Sequence, residues 1–302
     1  MSISSLKVFS KKVTMNEVKF IPLFAGRYII SSDPKLAIGT LFLLTFPIIW
    51  VLVSDMPVLM AKTSFVFLLL VALFWLLAVF LFLLSACTDP GIIKKLEPMP
   101  QLPEEFHTEF LVETVNGVSV QRKWCSTCNL YRPLRAHHCR TCDCCIENLD
   151  HHCPWICNCV GVRNHRYFVG FIICTICLSI LIGISVIWAS AIQNSQGTFG
   201  GFLESMFRVP HRYPCLILSV ITASLLIHLS LYQLSNISQN MTTSENLKKE
   251  YPDKNPFSNG WRYNCLSFWT RHVPPSIFDQ SITNSLKMSV SPDEIGHKIS
   301  NE

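Results

Sequence analysis

The chain has 302 residues, of which 50% are hydrophobic and only 15% charged, and its formal net charge is +5 at pH 7. Soluble globular proteins carry about a quarter of charged residues, so this composition lies outside their usual range. The excess of apolar residues favours a membrane protein.

Four apolar stretches are long enough to span the hydrocarbon core of a bilayer, which takes roughly 18 or more helical residues. They cover about residues 36–53, 64–86, 168–192 and 214–237. None contains Asp, Glu, Lys or Arg, and His228 in the fourth is the one ionisable side chain apart from cysteine. A histidine in a membrane helix can mark a functional site, but a neutral imidazole bonded to a neighbouring helix is the simpler interpretation.

Lysine and arginine are spread unevenly over the segments that flank these stretches. Segment 1–35 has six of them, 88–167 has nine and the tail 238–302 has seven, whereas the two remaining loops have one and two. Because such an excess marks the cytosolic side, we expect both termini and the long loop to face the cytosol. A reducing compartment disfavours disulfides, so cysteines there are expected to be metal ligands or catalysts.

The sequence therefore predicts an all-α polytopic membrane protein. Residues 36–87 and 168–237 would each contribute two transmembrane helices. A small cytosolic cysteine-rich zinc domain, about residues 123–167, would lie between helices 2 and 3.

The predicted zinc domain holds nine of the fourteen cysteines within the 35 residues from Cys125 to Cys159. Two Cys-x2-Cys pairs, Cys125 with Cys128 and Cys139 with Cys142, have the spacing of zinc knuckles. Two tetrahedral sites take eight ligands, and more candidates than that are present. The candidate partners are His137, His138, Cys144, Cys145, His151, His152, Cys157 and Cys159.

A carboxylate, two imidazoles and a thiol are adjacent in Asp150-His151-His152-Cys153, fifteen residues before the third apolar stretch. A nucleophile must be free of metal, and Cys153 is the cysteine that we expect to remain outside the two metal sites. Neighbours in an extended segment point to opposite sides, so one histidine can serve the thiol and the other the metal. This combination predicts acyl chemistry at a membrane face.

These motifs resemble the cysteine-rich domain of DHHC protein S-acyltransferases, or palmitoyltransferases. The loop reads Cys125-x2-Cys128-x3-Arg132-Pro133-x-Arg135-x2-His138-Cys139-x2-Cys142-x2-Cys145-x4-Asp150-His151-His152-Cys153, and then Pro154-Trp155 and Asn158-Cys159-Val160-Gly161. Further matches are Asp89-Pro90-Gly91, Thr242-Thr243-Ser244-Glu245 and Asn264. Segments 117–123 and 273–276 are similar to the branch that acylates Ras-type proteins.

The resemblance implies two closed Cys3His sites for structural zinc. The first would take Cys125, Cys128, His138 and Cys145, and the second Cys139, Cys142, His152 and Cys159. Cys144, Cys157 and His137 are left over. Cys157 is open to three interpretations, an accidental ligand, a second acyl acceptor or an inert thiol, of which the last is the simplest.

The resemblance also implies a protein S-palmitoyltransferase that uses zinc as cofactor and long-chain acyl-CoA as substrate. Cys153 would attack the acyl thioester, His151 would take the thiol proton and Asp150 would hold the imidazole. The acyl group would then pass to cysteines of membrane-associated proteins. A Golgi or ER location and a small accessory subunit are expected from the same resemblance.

Five other residues are given roles by the resemblance. Arg132 and Arg135 would clamp CoA phosphates, the alternative being ordinary residues of a basic loop. Thr243 would contact Asp150, with a helix N-cap as its alternative. Asn264 would tie the tail to the helix ends, and Trp155 would lie at headgroup level.

Two other functions compete with acyl transfer as interpretations of the sequence. An idle zinc scaffold would tolerate loss of Asp150, His151 or Cys153, and this chain retains all three. A nucleic-acid-binding zinc module would need a helix with base-reading residues, which the loop lacks. We therefore expect an acyltransferase with no nucleic-acid partner.

Overall fold

The computed structural model describes residues 20–23, 28–31, 34–62, 65–96 and 110–277. Within them, four helical spans are long and apolar enough to cross a membrane: Lys35–Met60, Val66–Cys87, His165–Ile192 and Arg212–Ser238. Most of the predicted segment 1–35 and the tail beyond residue 277 lie outside the described residues.

The described elements follow one another in blocks: two strands, three helices, eight strands and five helices. The helices are α1 Lys35–Trp50, α2 Met56–Met60, α3 Val66–Cys87, α4 His165–Ile192, α5 Phe199–Arg208, α6 Arg212–Ser238, α7 Thr243–Lys248 and α8 Trp261–Thr270. The strands are β1 Phe20–Leu23, β2 Tyr28–Ser31, β3 Ile92–Ile93, β4 Phe110–Val115, β5 Val118–Cys125, β6 Leu130–Tyr131, β7 His137–Cys139, β8 Cys144–Ile146, β9 His151–Cys153 and β10 Asn158–Val160. A π-helical turn, Val51–Asp55, joins α1 to α2.

The long helices pack around α4, which contacts both α3 and α6. Phe171 of α4 meets Phe82 of α3 edge to face, with ring centroids 5.4 Å apart. Large apolar side chains also cover the outer faces of the bundle, such as Phe42 and Leu76, which are 58% and 59% exposed. A helix that is hydrophobic on all sides is suited to lipid rather than water.

The first and fourth spans extend beyond the predicted apolar stretches because their terminal charges pair inside the bundle. Nε of Arg212, at the start of α6, donates to Oδ1 of Asp55 at 2.8 Å, and both side chains are buried. A buried charge is tolerated when it is paired and hydrogen-bonded. The first span therefore runs through Asp55 to Met60.

The prediction of an all-α protein is wrong for the region between α3 and α4, which consists of short antiparallel strands. Sheets form in the orders β3-β8-β7, β4-β5-β6 and β10-β9. The pair Cys139 and Cys142 spans the turn from β7 to β8, and His138 faces Cys145 across these strands. Clusters of ligands that are distant in sequence require such turns and cross-strand pairs, which a helix would not supply.

The end of α3 is held against this region and against the tail. Asp89 Oδ1 accepts from the backbone N–H groups of Gly91 and Ile92, both at 2.9 Å, and Oδ2 accepts from the Ser276 hydroxyl. Arg163 donates to the Pro274 carbonyl. At Gly161 a Cβ would clash with the Pro90 carbonyl oxygen, so this approach requires glycine.

Candidate active site and metal centres

Strands β9 and β10 divide the candidate residues between two faces. His152 lies opposite Cys159 in the register, whereas Cys153 lies opposite Asn158 and His151 opposite Val160. Since side chains alternate along a strand, His152 points to the face opposite that of His151 and Cys153. The structure thus gives the two adjacent histidines different surroundings.

Two groups of four side chains are arranged so that each could hold a metal ion. They are Cys125, Cys128, His138 and Cys145, and Cys139, Cys142, His152 and Cys159, and the ligand atoms of each group lie within 4.8 Å of one another. These are the two sets that the family resemblance implies.

The distances within each group fit tetrahedral coordination. His138 Nδ1 lies 3.4 Å from Cys128 Sγ and 3.6 Å from Cys125 Sγ. His152 Nδ1 lies 3.4 Å from Cys142 Sγ and 3.6 Å from Cys159 Sγ. Zn–S bonds of about 2.3 Å and Zn–N bonds of about 2.0 Å at tetrahedral angles place S and N about 3.5 Å apart.

The three residues left over by the predicted ligand sets lie outside both groups. Cys144 is buried, and burial raises the pKa of its thiol well above the usual range. His137 Nδ1 is 3.0 Å from Lys248 Nζ, and its Nε2 is 3.3 Å from a carboxylate oxygen of Glu250. Cys157 has a left-handed backbone, with φ of 49°, and its Sγ donates to the Pro154 carbonyl.

Asp150 is buried and holds His151 by a short hydrogen bond. His151 Nδ1 lies 2.8 Å from Asp150 Oδ2. The backbone N–H of Thr243 donates to Oδ1 at 2.7 Å, and the Thr243 hydroxyl donates to Oδ2 at 2.8 Å. Thr242, not Thr243, caps α7, since its side chain accepts from the Glu245 N–H.

These contacts shift the pKa values of the pair in opposite directions. Burial acts to raise the pKa of Asp150, but the neighbouring imidazoles of His165 and His151 and the hydrogen bonds outweigh it and hold that pKa well below its usual range. Burial acts to lower the pKa of His151, but its bonds to Asp150 and Cys153 outweigh that and raise it to about 9. The imidazole is therefore able to keep a proton at neutral pH beside the Cys153 sulfur.

Two polar residues of the membrane helices complete the surroundings of Asp150, and the sequence analysis missed both. Gln233 Nε2 in α6 donates to Asp150 Oδ2 at 3.0 Å, and its Oε1 lies 2.9 Å from His165 Nε2 in α4. The Gln233 amide must turn its NH2 group toward the Asp150 carboxylate. Its Oε1 therefore faces His165, whose Nε2 donates to it. In the sequence, the signal that could have found these two residues is a polar side chain near the end of an apolar span.

Cys153 lies at one end of an apolar cavity of about 480 Å³ between α1, α4 and α6. His151, which packs edge to face on Phe168, lines the same end, whereas Cys215 lines the far end. From Leu229 to Cys215 the cavity follows α6 for fourteen residues, or about 21 Å at 1.5 Å per residue. Such a narrow apolar cavity suits a linear hydrocarbon chain.

Trp155 and Asn264 take up positions beside these elements. Trp155 is 58% exposed, and its carbonyl accepts from Thr40 Oγ1 of α1 at 2.8 Å. Asn264 Nδ2 of α8 donates to the Ser238 carbonyl at the end of α6, also at 2.8 Å. The first contact joins the loop to α1, and the second joins the tail to the helix bundle.

Arg132 and Arg135 differ in their surroundings. Arg135 is largely buried, and its guanidinium donates to both carboxylate oxygens of Glu245 at 2.7 and 2.8 Å, and to the Asn240 side chain and carbonyl. Arg132 lines a small surface depression together with Lys123 and His137. The donors of Arg135 are thus engaged within the protein, whereas Arg132 lies in a basic depression.

Comparison with known proteins gives a consistent set of matches. Residues 118–250 match the family described as DHHC palmitoyltransferase. The chain is 31% identical over 301 residues to probable protein S-acyltransferase 5 of Arabidopsis thaliana, covering 92% of this chain and 60% of that protein. It is 28% identical to palmitoyltransferase ZDHHC18 of Mus musculus, covering 84% and 72%, and 30% identical to palmitoyltransferase ZDHHC9 of Homo sapiens, covering 69% and 62%. The chain thus spans less than two thirds of the first and third of these relatives.

Proposed function

The chain belongs to the DHHC palmitoyltransferase family, and from that premise we propose that it is a protein S-palmitoyltransferase. It moves a long-chain acyl group from acyl-CoA, through an acyl-Cys153 intermediate, to a cysteine of a substrate protein. The observation that carries the proposal is the position of Cys153, beside the His151–Asp150 pair and at the end of an apolar cavity. The four helices make the enzyme an integral membrane protein.

The reaction exchanges one thioester for another in two steps. The Cys153 thiol gives its proton to His151 and its sulfur attacks the acyl carbonyl; the bond to CoA sulfur breaks, and CoA leaves with the proton from His151. In the second step the thiol of the substrate protein gives its proton to His151 and attacks acyl-Cys153. Cys153 regains the proton, so no redox partner is required.

His151 and Asp150 have different roles in the proton transfers. Asp150 accepts from Nδ1 and so leaves Nε2 of His151 to face the thiol. Thr243 and Gln233 fix the carboxylate from two directions, which keeps the imidazole in one orientation. A base held this way contributes about 10²–10⁴-fold to the rate of proton transfer.

The apolar cavity is proposed as the site of the acyl chain. Burial of each CH2 contributes about 0.8 kcal/mol, so a long chain is held strongly while its thioester stays near Cys153. Arg132, in a basic depression with Lys123 and His137, is proposed to contact CoA phosphate. Arg135, whose donors are taken by Glu245 and Asn240, is proposed as a positioning residue for the segment after α6 rather than as a CoA ligand.

The two Cys3His groups are proposed to hold structural zinc. Thiolate and imidazole are the ligands that zinc prefers, and four protein ligands leave no open position for chemistry. Bound zinc would fix the loops that carry β9 and β10. Cys153 and His151 belong to neither group, so the reacting atoms stay free of metal.

The remaining expectations concern the setting of the enzyme. We propose that the cysteine-rich region of about residues 123–167, here called the metal-binding domain, faces the cytosol together with both termini, as the distribution of Lys and Arg predicts. Substrates would be membrane-associated proteins with acceptor cysteines, including Ras-type proteins, at the Golgi or ER, with a small accessory subunit. Proteolysis of sealed microsomes tests the orientation, since sites in the metal-binding domain should be cleaved without detergent.

The central experiment compares Cys153→Ser with Cys157→Ser after incubation of the purified protein with alkynyl palmitoyl-CoA. Cys153→Ser should lose the hydroxylamine-sensitive label completely and keep two zinc ions per chain, since neither variant removes a predicted ligand. Cys157→Ser should keep both label and zinc. A labelled Cys153→Ser protein together with an unlabelled Cys157→Ser protein would assign the nucleophile to Cys157 instead.

A further inference from the structure

A second, polar cavity of about 120 Å³ lies between the metal-binding domain, the end of α6 and α8. Its lining includes Asn148 from the metal-binding domain, Asn240 after α6, Ser267 in α8 and Arg271 directly after α8. We propose that this cavity binds a phosphate group through Arg271, a function separate from acyl transfer.

Arg271 is the residue that points to an anion. Its Nε is buried and has no hydrogen-bond partner among the described residues. Burial, and then the positive charges of Arg135 and Arg166, lower the pKa of Arg271 to about 10, against the opposing negative charge of Glu147. The half-buried guanidinium of Arg271 lies 5.7 Å from the centroid of the Phe268 ring, which gives its buried Nε no hydrogen-bond acceptor, and a bound anion would supply one.

The neighbouring arginines do not balance this charge. Arg135 is neutralised by Glu245, with which it forms a buried ion pair at 2.7 Å. Arg166 donates to the Arg271 carbonyl at 2.8 Å and so brings a further positive charge toward the same segment. The cavity therefore has an excess of positive charge that the described side chains leave uncompensated.

Size and chemistry select phosphate among anions. The cavity volume is about four times the 30 Å³ that a molecule occupies in liquid water, which is room for a tetrahedral oxyanion but not for a nucleotide. A guanidinium binds phosphate oxygens in a bidentate manner.

The position of the cavity leaves two sources for the phosphate. His165 at the start of α4 and Ile237 at the end of α6 both line it, so it lies at the membrane boundary. Trp261 and Trp269 of α8 are 64% and 44% exposed, as is typical of side chains at headgroup level. An anionic phospholipid headgroup and free phosphate can both reach such a site.

The test is a thermal unfolding series on the full-length protein purified in a maltoside detergent with zinc bound. One arm adds inorganic phosphate at constant ionic strength, and the other adds phosphatidic acid, with diacylglycerol as the lipid that lacks the phosphate. The variant is Arg271→Gln. The matched control is Arg262→Gln, since Arg262 lies at the start of α8, over the exposed Trp261 ring, and does not line the cavity.

Wild type and Arg262→Gln should gain Tm with rising ligand concentration, because a ligand that binds only the folded state stabilises it. In Arg271→Gln the apparent Kd should rise about tenfold or more, the cost of losing a charge-assisted hydrogen bond. Arg271→Lys keeps the positive charge but lacks the planar guanidinium, so its apparent Kd should lie between those of wild type and Arg271→Gln. A response to phosphatidic acid alone identifies a lipid site, and a response to inorganic phosphate identifies a site for the free ion.

In buffer free of phosphate and lipid, Arg271→Gln should melt at or above the wild-type Tm, since it removes a half-buried positive charge whose Nε has no hydrogen-bond partner among the described residues. Arg271→Gln melting well below wild type there would make Arg271 a structural donor and overturn the proposal. The absence of any ligand response in wild type, or an equal response in wild type and Arg271→Gln, would also overturn it.

Discussion

The bundle contains two buried aspartates at opposite ends of α6, and they are stabilised in different ways. Asp55 is neutralised by Arg212, at the first residue of α6, and its Oδ2 has no hydrogen-bond partner among the described residues. Asp150 has hydrogen bonds on both oxygens, from Thr243, His151 and Gln233. Gln233 is 21 residues beyond Arg212 in α6, about 30 Å along the helix.

The difference separates a carboxylate that holds helices together from one that orients another group. Charge pairing neutralises Asp55 but leaves half of its acceptor capacity unused. Asp150 is fixed on both oxygens by neutral donors and retains its charge for His151. Substitutions at the two ends should therefore act on different quantities, unfolding at the Asp55 end and reaction rate at the Asp150 end.

The largest rate effect is expected when the imidazole beside Cys153 is removed. His151→Ala should slow acyl-enzyme formation about 10²–10⁴-fold at pH 7 and keep two zinc ions. Between pH 7 and 8.5 its rate should recover about 15-fold in total, because a free thiol with a pKa of roughly 8.5 goes from about 3% to about 50% ionised over that range. Wild-type His151, whose pKa lies near 9 because its bonds to Asp150 and Cys153 outweigh burial, keeps its proton over that range.

The adjacent residue supplies the control for this measurement. His152→Ala should lose zinc and gain protease sensitivity, since a zinc ligand contributes to folding, and a higher pH should not restore its rate. Zinc loss from His151→Ala with both ions kept in His152→Ala would mean that the two roles are reversed.

A smaller loss is expected from Asp150→Asn, which keeps the size of the side chain and removes its charge. An amide NH2 would face donors of Thr243 or Gln233, and the charged hydrogen bond to His151 would be lost. Acyl-enzyme formation should fall about 10–100-fold, corresponding to about 1.5–3 kcal/mol. Single-turnover labelling measures the rate, and an unchanged rate would remove Asp150 from the mechanism.

Gln233→Leu tests whether support from the membrane side matters to the same carboxylate. The variant removes one donor to a charged group, so kcat should fall by about tenfold. KM for acyl-CoA should stay unchanged, because Gln233 does not line the apolar cavity. Gln233→Glu should be worse, since it places a second carboxylate against Asp150, and equal activity of the two variants would argue against positioning through the amide.

The smallest rate effect is expected at the opposite end, with Asp55→Leu. Leaving Arg212 buried and unpaired should cost about 3–5 kcal/mol of unfolding free energy, while the molecules that remain folded keep their labelling rate. The double variant Asp55→Leu with Arg212→Leu should recover much of the lost Tm. A strong fall in the rate of the folded double variant would show that the two ends are coupled.

The sequence predicted the parts of the molecule that depend on local spacing. The four apolar spans follow from composition, the resemblance to the family implies both four-residue ligand groups, and the structure brings each ligand group together. The Asp55–Arg212 pair joins residues 157 positions apart and Gln233 reaches Asp150 across 83, distances over which a single sequence gives no pairing signal. The same holds for Arg135, for which the resemblance implies a CoA-phosphate clamp, since its partner Glu245 lies 110 residues away.

The contact between Asp89 and Ser276 has consequences for biosynthesis. These residues are 187 positions apart, and at 5–20 residues per second the ribosome reaches Ser276 about 10–40 s after Asp89. During that interval α3 can be inserted while the carboxylate of Asp89, two residues after the helix, has not yet met the Ser276 hydroxyl. The contact of the tail with the junction between the membrane helices and the metal-binding domain thus forms late. Until the tail has been synthesised, the incomplete protein is exposed to chaperones and quality control.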